Sequence, residues 1–270
     1  MVTGMPGDHA RTALAGSRFA DLRWVESTGS TNADLLELAR GGAPDGIVLV
    51  ADHQSAGRGR LDRTWTAPAG SSLLFSTLVR PDLAPSDLHL LTTAVAVAAS
   101  DACEAVAGVR PRLKWPNDLV VADGDGTDRK LAGILSESVV DGGEVRAVVV
   151  GMGLNVNWPA TLPDDLAATA TSLNHLAGHD VDREQLLVAH LRGLEVILAE
   201  LASPGGREAL IIRYRHLSAT LGRTVRVELA SGALVGQAVD VDDAGHLVVE
   251  LGGELVPVVA GDVVHLRTQD

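Results

Sequence analysis

Asp52-His-Gln-Ser-Ala-Gly-Arg-Gly-Arg-Leu-Asp-Arg-Thr-Trp65 is the stretch around which this 270-residue chain is organised. It follows a short apolar run, Ile47 to Ala51, that reads as a buried strand. There the apolar pattern stops, and Gly57 and Gly59 alternate with Arg58 and Arg60, with Arg63 just beyond. Glycines at this density open backbone angles closed to other residues and leave amide N–H groups free to approach a ligand. Guanidinium groups concentrated in an acidic chain point to a small anion, because arginine suits bidentate phosphate and carboxylate recognition. Alone, the same pattern is more often that of a solvated surface loop.

The composition narrows the choice. Net charge is −13, from 22 Lys+Arg against 35 Asp+Glu, which argues against non-specific nucleic-acid binding. Cys103 has no second cysteine to pair with and lies in an Ala/Val-rich helical pattern, as a small core residue would. The first 20 residues lack a signal-peptide core, and no uninterrupted apolar run has the length of a membrane span. The expectation is a cytoplasmic protein.

Outward from the Gly-Arg stretch, the chain alternates strands and helices. Residues 1–20 show no sustained periodicity and read as a mobile terminus, and Asp21–Val25 reads as a first strand. Ser27-Thr-Gly-Ser-Thr-Asn32 precedes an apolar helix, where Thr31 with Asp34 has the spacing of a capping box. A helix N-terminus also offers free N–H groups to a polar ligand. Ser72–Arg80 reads as a strand, and Leu88–Ala107, uncharged before Asp101, as a helix buried nearly all round. Arg112-Leu-Lys-Trp-Pro-Asn-Asp118 is a strand end turned into a loop by Pro116, bringing Lys114, Asn117 and Asp118 together.

Asp123-Gly-Asp-Gly-Thr-Asp128 superficially resembles a calcium loop but lacks its spacing and closing Glu, and reads as a hairpin connection. Lys130–Glu137 and Val145–Met152, joined at Gly142-Gly143, form a hairpin that ends in Gly151-Met-Gly-Leu-Asn155. His175 and His179 are four apart without the rest of a zinc motif, so no metal site is expected. Helices are expected over Arg183–Leu201 and Arg207–Leu217. Beyond Gly222 the apolar residues alternate, with turn signals at Ser231-Gly232 and Ala244-Gly245, as in a small β-barrel.

Gly29-Ser-Thr-Asn32, Gln54 with Gly57-Arg-Gly-Arg60 and Trp65, Lys114-Trp-Pro-Asn-Asp118, Arg129-Lys-Leu-Ala-Gly-Ile-Leu135 and Gly153-Leu-Asn155 occur in this order. Together they make residues 21–270 resemble the biotin–protein ligases. The resemblance implies an α+β fold: a mixed sheet with helices like the class II aminoacyl-tRNA synthetase core, plus a C-terminal SH3-like barrel. It implies domains at 21–220 and 221–270. Only about 20 residues precede the first family-like strand, too few for the DNA-binding module some members carry, so the similarity is to the monofunctional form.

The resemblance also implies roles. Lys130 and Arg60 would be catalytic; Ser30, Thr31, Asn32, Gln54, Arg58, Gly59, Arg60, Lys130 and Gly133 would hold biotin. Arg58, Arg60, Arg63, Trp65, Lys114, Asn117, Asp118 and Asn155 would hold ATP or the adenylate, with Mg2+ arriving on the triphosphate. The partner would be a biotin carboxyl carrier protein of an acyl-CoA or pyruvate carboxylase, with no DNA or membrane, and the enzyme a monomer or weak homodimer. Lipoate–protein ligases share the fold and the adenylation logic, and a non-catalytic biotin sensor would keep the loop but need not keep Lys130. One departure stands out: where family loops continue with glycine two residues after the second arginine, this chain has Asp62. A stiffer loop, with Asp62 paired to a neighbouring arginine, is the expectation.

Overall fold

In the computed structural model, which describes residues 5–265 apart from 125, 163, 230, 231 and 260, the chain builds two β-sheets. In chain order the first part comprises α1 (Asp8–Ala13), β1 (Leu22–Thr28), α2 (Thr31–Arg40), β2 (Val48–Gln54), β3 (Ser72–Val79) and α3 (His89–Ala107). Then come β4 (Arg112–Lys114), β5 (Asp118–Ala122), β6 (Asp128–Asp141), β7 (Glu144–Asn155), α4 (Asp164–Ala167), α5 (Leu173–Ala177), α6 (Arg183–Leu201) and α7 (Gly206–Leu217). Strands β8 (Thr224–Leu229), β9 (Gly232–Val241), β10 (Leu247–Leu251), β11 (Glu254–Val258) and β12 (Asp262–His265) complete it.

The larger sheet has the order β1-β2-β3-β7-β6-β5-β4 and is antiparallel throughout except for the parallel pair β1–β2. Its central strands are apolar on both faces, and the period-two alternation divides them between two cores. Val48, Val50, Phe75, Val148 and Val150 pack with α3 and α6, while Leu49, Leu78, Ala147 and Val149 pack with Leu35, Leu36 and Ala39 of α2. Helix α3 sits mostly buried within the larger core, in keeping with the absence of acidic and basic residues from Leu90 to Ser100. By length and composition alone Pro85–Ala107 would pass for a membrane span. Cys103 is fully buried there, and burial pushes its thiol pKa up to about 12.

The second sheet, β11-β10-β9-β8-β12, is wholly antiparallel. Its inward residues Val225, Val227, Ala238, Leu247 and Val249 join the larger core. Contacts that fasten it to the first sheet include the Trp115 indole, which donates to Gly245 O at 3.0 Å, and Arg223, which pairs with Asp128 at 2.7 Å. Of the turn expected at Ser231-Gly232, Ser231 lies outside the described residues.

Three expectations need correction. Residues 5–20 are packed rather than free: Ala10, Leu14 and Phe19 are fully buried, and Glu184 accepts from the N–H groups of Gly7 and Ala10. Burying a side chain such as Phe19 contributes about 1.5–3 kcal/mol, enough to fix a helix too short to show periodicity. Residues 1–4 lie outside the described residues. The α2 cap is Ser30, whose hydroxyl accepts from Ala33 N, while Asp34 accepts from Thr28 instead of serving Thr31. Asp62 makes no ion pair among the described residues.

Candidate functional site

Where β2 leaves the sheet, residues 57–65 fold back as a miniature hairpin. Gly59 N donates to Arg63 O at 2.7 Å, Trp65 N to Gly57 O at 3.0 Å, and Arg63 N to Arg60 O at 3.2 Å. The two residues at its tip, Leu61 (φ 54°) and Asp62 (φ 56°), both take positive φ, as the central pair of a type I′ turn does. The hairpin, the N-terminus of α2, strands β6 and β7, and Asp262 at the start of β12 together enclose a cavity of about 660 Å³.

Of the sequence-predicted residues, Ser30, Thr31, Asn32, Gln54, Arg58, Gly59, Arg60, Arg63, Trp65, Asn117, Asp118, Lys130, Gly133 and Asn155 line this cavity. Lys114 does not. It sits on β4, and its charge is felt at His265 on the side of the second sheet. Lys114 is the cross-strand partner of Asp118 in the β4–β5 hairpin, yet only Asp118 lines the cavity, a distinction that motif spacing does not carry.

Four cations reach the cavity, three of them paired with carboxylates. Arg58 contacts Glu137 at 2.9 Å, Arg63 contacts Asp262 at 2.6 Å, and Lys130 Nζ lies 2.7 Å from Asp118 Oδ1. Arg60 donates instead to Asn117 Oδ1 at 3.1 Å and to Gly261 O at 2.9 Å. Burial lowers the pKa of its guanidinium, an effect that Asp262 and Asp118 partly offset and Arg63 adds to. The arginines of the hairpin are thus tied to both sheets.

The floor depends on absent side chains. A Cβ on Gly153 would lie 2.4 Å from the Trp65 indole, and one on Gly133 would lie 2.9 Å from it. These glycines face each other across β6 and β7, and the indole lies over them with Lys130 Nζ 5.4 Å from its centroid. The indole N–H and Asn155 Oδ1 are buried without a hydrogen-bond partner among the described residues. Among these residues, no group of three or more His, Cys, Asp and Glu could hold a metal. His175 and His179 are exposed, each beside a backbone carbonyl.

Sequence reasoning missed Phe75, Trp158 and Asp262 in the lining, and Glu137 and Ser76 behind it. Ser76 is one of three buried polar residues on β3, with Ser72 and Thr77, and nothing in the strand's sequence separates it from them. Asp262 carried no signal either, being about 200 residues from the arginine it meets.

A hydrogen-bonding wall at a helix N-terminus, facing four cations across a flat glycine floor, defines a protein that binds and activates a small organic anion. The comparisons agree and go further. Residues 24–155 match the biotin/lipoate A/B protein ligase family, and residues 220–266 match the biotin protein ligase C-terminal domain. The chain is 42% identical over 259 residues to the biotin–[acetyl-CoA-carboxylase] ligase of Mycobacterium tuberculosis, covering 94% of this chain and 92% of the relative. It is 32% identical over 235 residues to the bifunctional ligase/repressor BirA of Bacillus subtilis, covering 87% of this chain and 70% of the relative. The biotin protein ligase of Aquifex aeolicus, solved with biotin and ATP, superposes with a TM-score of 0.78 at 27% identity, over 93% of this chain and all of the other. The chain belongs to the biotin–protein ligase family.

Proposed function

We propose that the chain activates biotin with ATP and transfers it to a lysine of the biotin carboxyl carrier protein of a carboxylase, forming a C–N bond. What carries this reading is the meeting of Lys130, Arg58, Arg60 and Arg63 with Ser30, Thr31 and Gln54 around one cavity, in a chain of this family. Its volume, about 660 Å³, is in the range that holds a small molecule with a nucleotide beside it.

In the first step a biotin carboxylate oxygen attacks the α-phosphorus of ATP, and the bond to the β-phosphate oxygen breaks to release pyrophosphate. Two anions must approach, and fixed cations offset their repulsion and stabilise the charge that develops. Lys130 fills this role, exchanging Asp118 for the carboxylate and the α-phosphate, and Arg60 joins it. Ser30, Thr31, Gln54 and Gly133 contact biotin, while Arg58 and Gly59 close over it. Arg63, Trp65, Asn117, Asp118 and Asn155 serve the nucleotide side. Magnesium enters as part of the ATP substrate, held by phosphate oxygens and water. In the second step the neutral carrier lysine amine attacks the anhydride carbonyl, the bond from that carbon to the AMP phosphate oxygen breaks, AMP leaves as the anion, and the nitrogen gives its extra proton to solvent as the amide forms. The hairpin keeps water from the mixed anhydride between steps.

The same reading gives the two sheets the class II synthetase-like and SH3-like architectures of the family, with the division near residue 220. It places the enzyme in the cytoplasm, which the single buried cysteine suits, as a monomer or weak homodimer without DNA or membrane partners.

The test is pyrophosphate release with ATP, magnesium and biotin, with lipoate in parallel. Release with biotin that falls about 10²- to 10³-fold in Lys130→Ala is the expected result, the scale of losing one preorganised electrostatic group. Biotin binding without pyrophosphate would make the protein a sensor, and release with lipoate alone would make it a lipoate ligase.

A further inference from the structure

Behind the cavity wall runs a chain of side chains whose proton directions can be worked out one by one. Asn32 Nδ2 lies 3.1 Å from Leu135 O and 2.9 Å from Glu137 Oε2, both acceptors, so the amide nitrogen faces them and Oδ1 faces the other way. Oδ1 is 2.6 Å from the hydroxyl of Ser76, which is fully buried. An amide oxygen only accepts, so the single Ser76 proton points at Asn32.

Thr31 Oγ1 lies 2.7 Å from the same Ser76 oxygen and 3.1 Å from Gln54 Oε1. Gln54 Oε1 already accepts from Thr31 N at 2.8 Å. Were the Thr31 proton turned to Gln54, two hydroxyl oxygens would face each other at 2.7 Å with no proton between them. The Thr31 hydroxyl therefore donates to Ser76, and its remaining lone pairs are what it can offer the cavity. Gln54, with its oxygen turned to Thr31, has its amide N–H groups left to give. Space for the chain depends on Gly151, whose Cβ would fall 2.0 Å from Asn32 Oδ1. Asn32, filled on both sides by protein, acts through its neighbours.

We infer that Ser76 is a positioning residue that takes the Thr31 proton and presents the Thr31 oxygen to the cavity as an acceptor only. The bound acid must then carry an N–H at that point, beside a carbonyl that Gln54 can serve. This deepens the ligase reading and rests on it, since the cyclic urea of biotin offers that N–H and C=O pair.

The experiment compares biotin with its two carbamate analogues, in each of which one ring N–H is replaced by oxygen, on the wild type, Ser76→Ala and Ser76→Thr. The wild type rejects the analogue that sets a ring oxygen against the Thr31 oxygen, because two acceptors then face each other. In Ser76→Ala the Thr31 proton loses its 2.7 Å partner and is left with the longer contact to Gln54 Oε1 at 3.1 Å, an oxygen that already accepts from Thr31 N, so the hydroxyl can turn and donate into the cavity. The expected result is that kcat/KM for biotin falls roughly tenfold through KM, while kcat/KM for that analogue rises in absolute terms. Ser76→Thr restores the wild-type preference. Biotin and both analogues weakened by the same factor, or an unchanged preference, would overturn the inference and leave Ser76 a packing residue. Calorimetric binding of the three acids reads the same preference without turnover. Absence of pyrophosphate release by the wild type would then sink the ligase reading alone, and thermal melts confirm that each variant is folded.

Discussion

His190 of α6 is 1% exposed, and neither ring nitrogen has a hydrogen-bond partner among the described residues. Its ring packs edge-on against Phe75 of the cavity wall, with centroids 5.2 Å apart. Burial drives its pKa down from 6.5 to about 3, because an imidazolium there would be an unpaired buried charge. Below about pH 6.5 the unfolded chain binds a proton at this position that the folded chain refuses. The unfolded state then carries more protons, so stability falls with falling pH, and it does so until the folded residue itself titrates near pH 3. Above pH 6.5 the contribution is flat. Between about pH 7.5 and pH 5 the loss comes to roughly 2 kcal/mol. Urea unfolding of the wild type and His190→Leu at both pH values isolates this residue from the titrating carboxylates, which the two proteins share. The wild type should lose roughly 2 kcal/mol more than the variant over that interval. At the higher pH the variant should be no less stable, since it removes two unpartnered polar atoms from the core. Equal acid losses in the two proteins would refute the reasoning.

Two further predictions concern the hairpin and the floor. Leu61→Asn combined with Asp62→Gly supplies the residue types that positive φ favours, and should stabilise the hairpin by about 1–2 kcal/mol, read as slower proteolytic cleavage between residues 57 and 65; unchanged cleavage would deny that the tip is strained. Gly153→Ala forces the Trp65 indole off the sheet, at a stability cost of about 1–3 kcal/mol. Its KM for ATP should rise more than its KM for biotin, and the reverse order would remove Trp65 from the nucleotide side.

Much of this was legible in the residues. The strands announced themselves by alternation or by continuous apolar character, and the motif order gathered fourteen of the fifteen cavity residues named from sequence. Lys114 lies outside the lining although it is the cross-strand partner of Asp118, which a motif written as a string does not record. Helix α1 was missed because its anchors, Ala10, Leu14 and Phe19, find their partners in tertiary packing rather than in a local repeat. The Asp262 contact is non-local by nature. Ser76 is one of three polar residues on β3, and its meaning required knowing which hydroxyl lay 2.7 Å away.

The four tryptophans differ in how they are held. Trp24, Trp115 and Trp158 each donate their indole N–H, to Asp52, Gly245 O and Ser72 respectively, whereas Trp65, above the glycine floor, has no partner for its own among the described residues. A molecule entering the cavity must meet or displace that indole, whereas Trp158, which also lines the cavity, is anchored on Ser72, and Trp24 and Trp115 lie outside the lining. Emission from this chain should therefore report occupancy of the cavity, giving the protein a built-in optical signal whose ligand-dependent part falls sharply in Trp65→Phe and leaves only the share of the anchored Trp158.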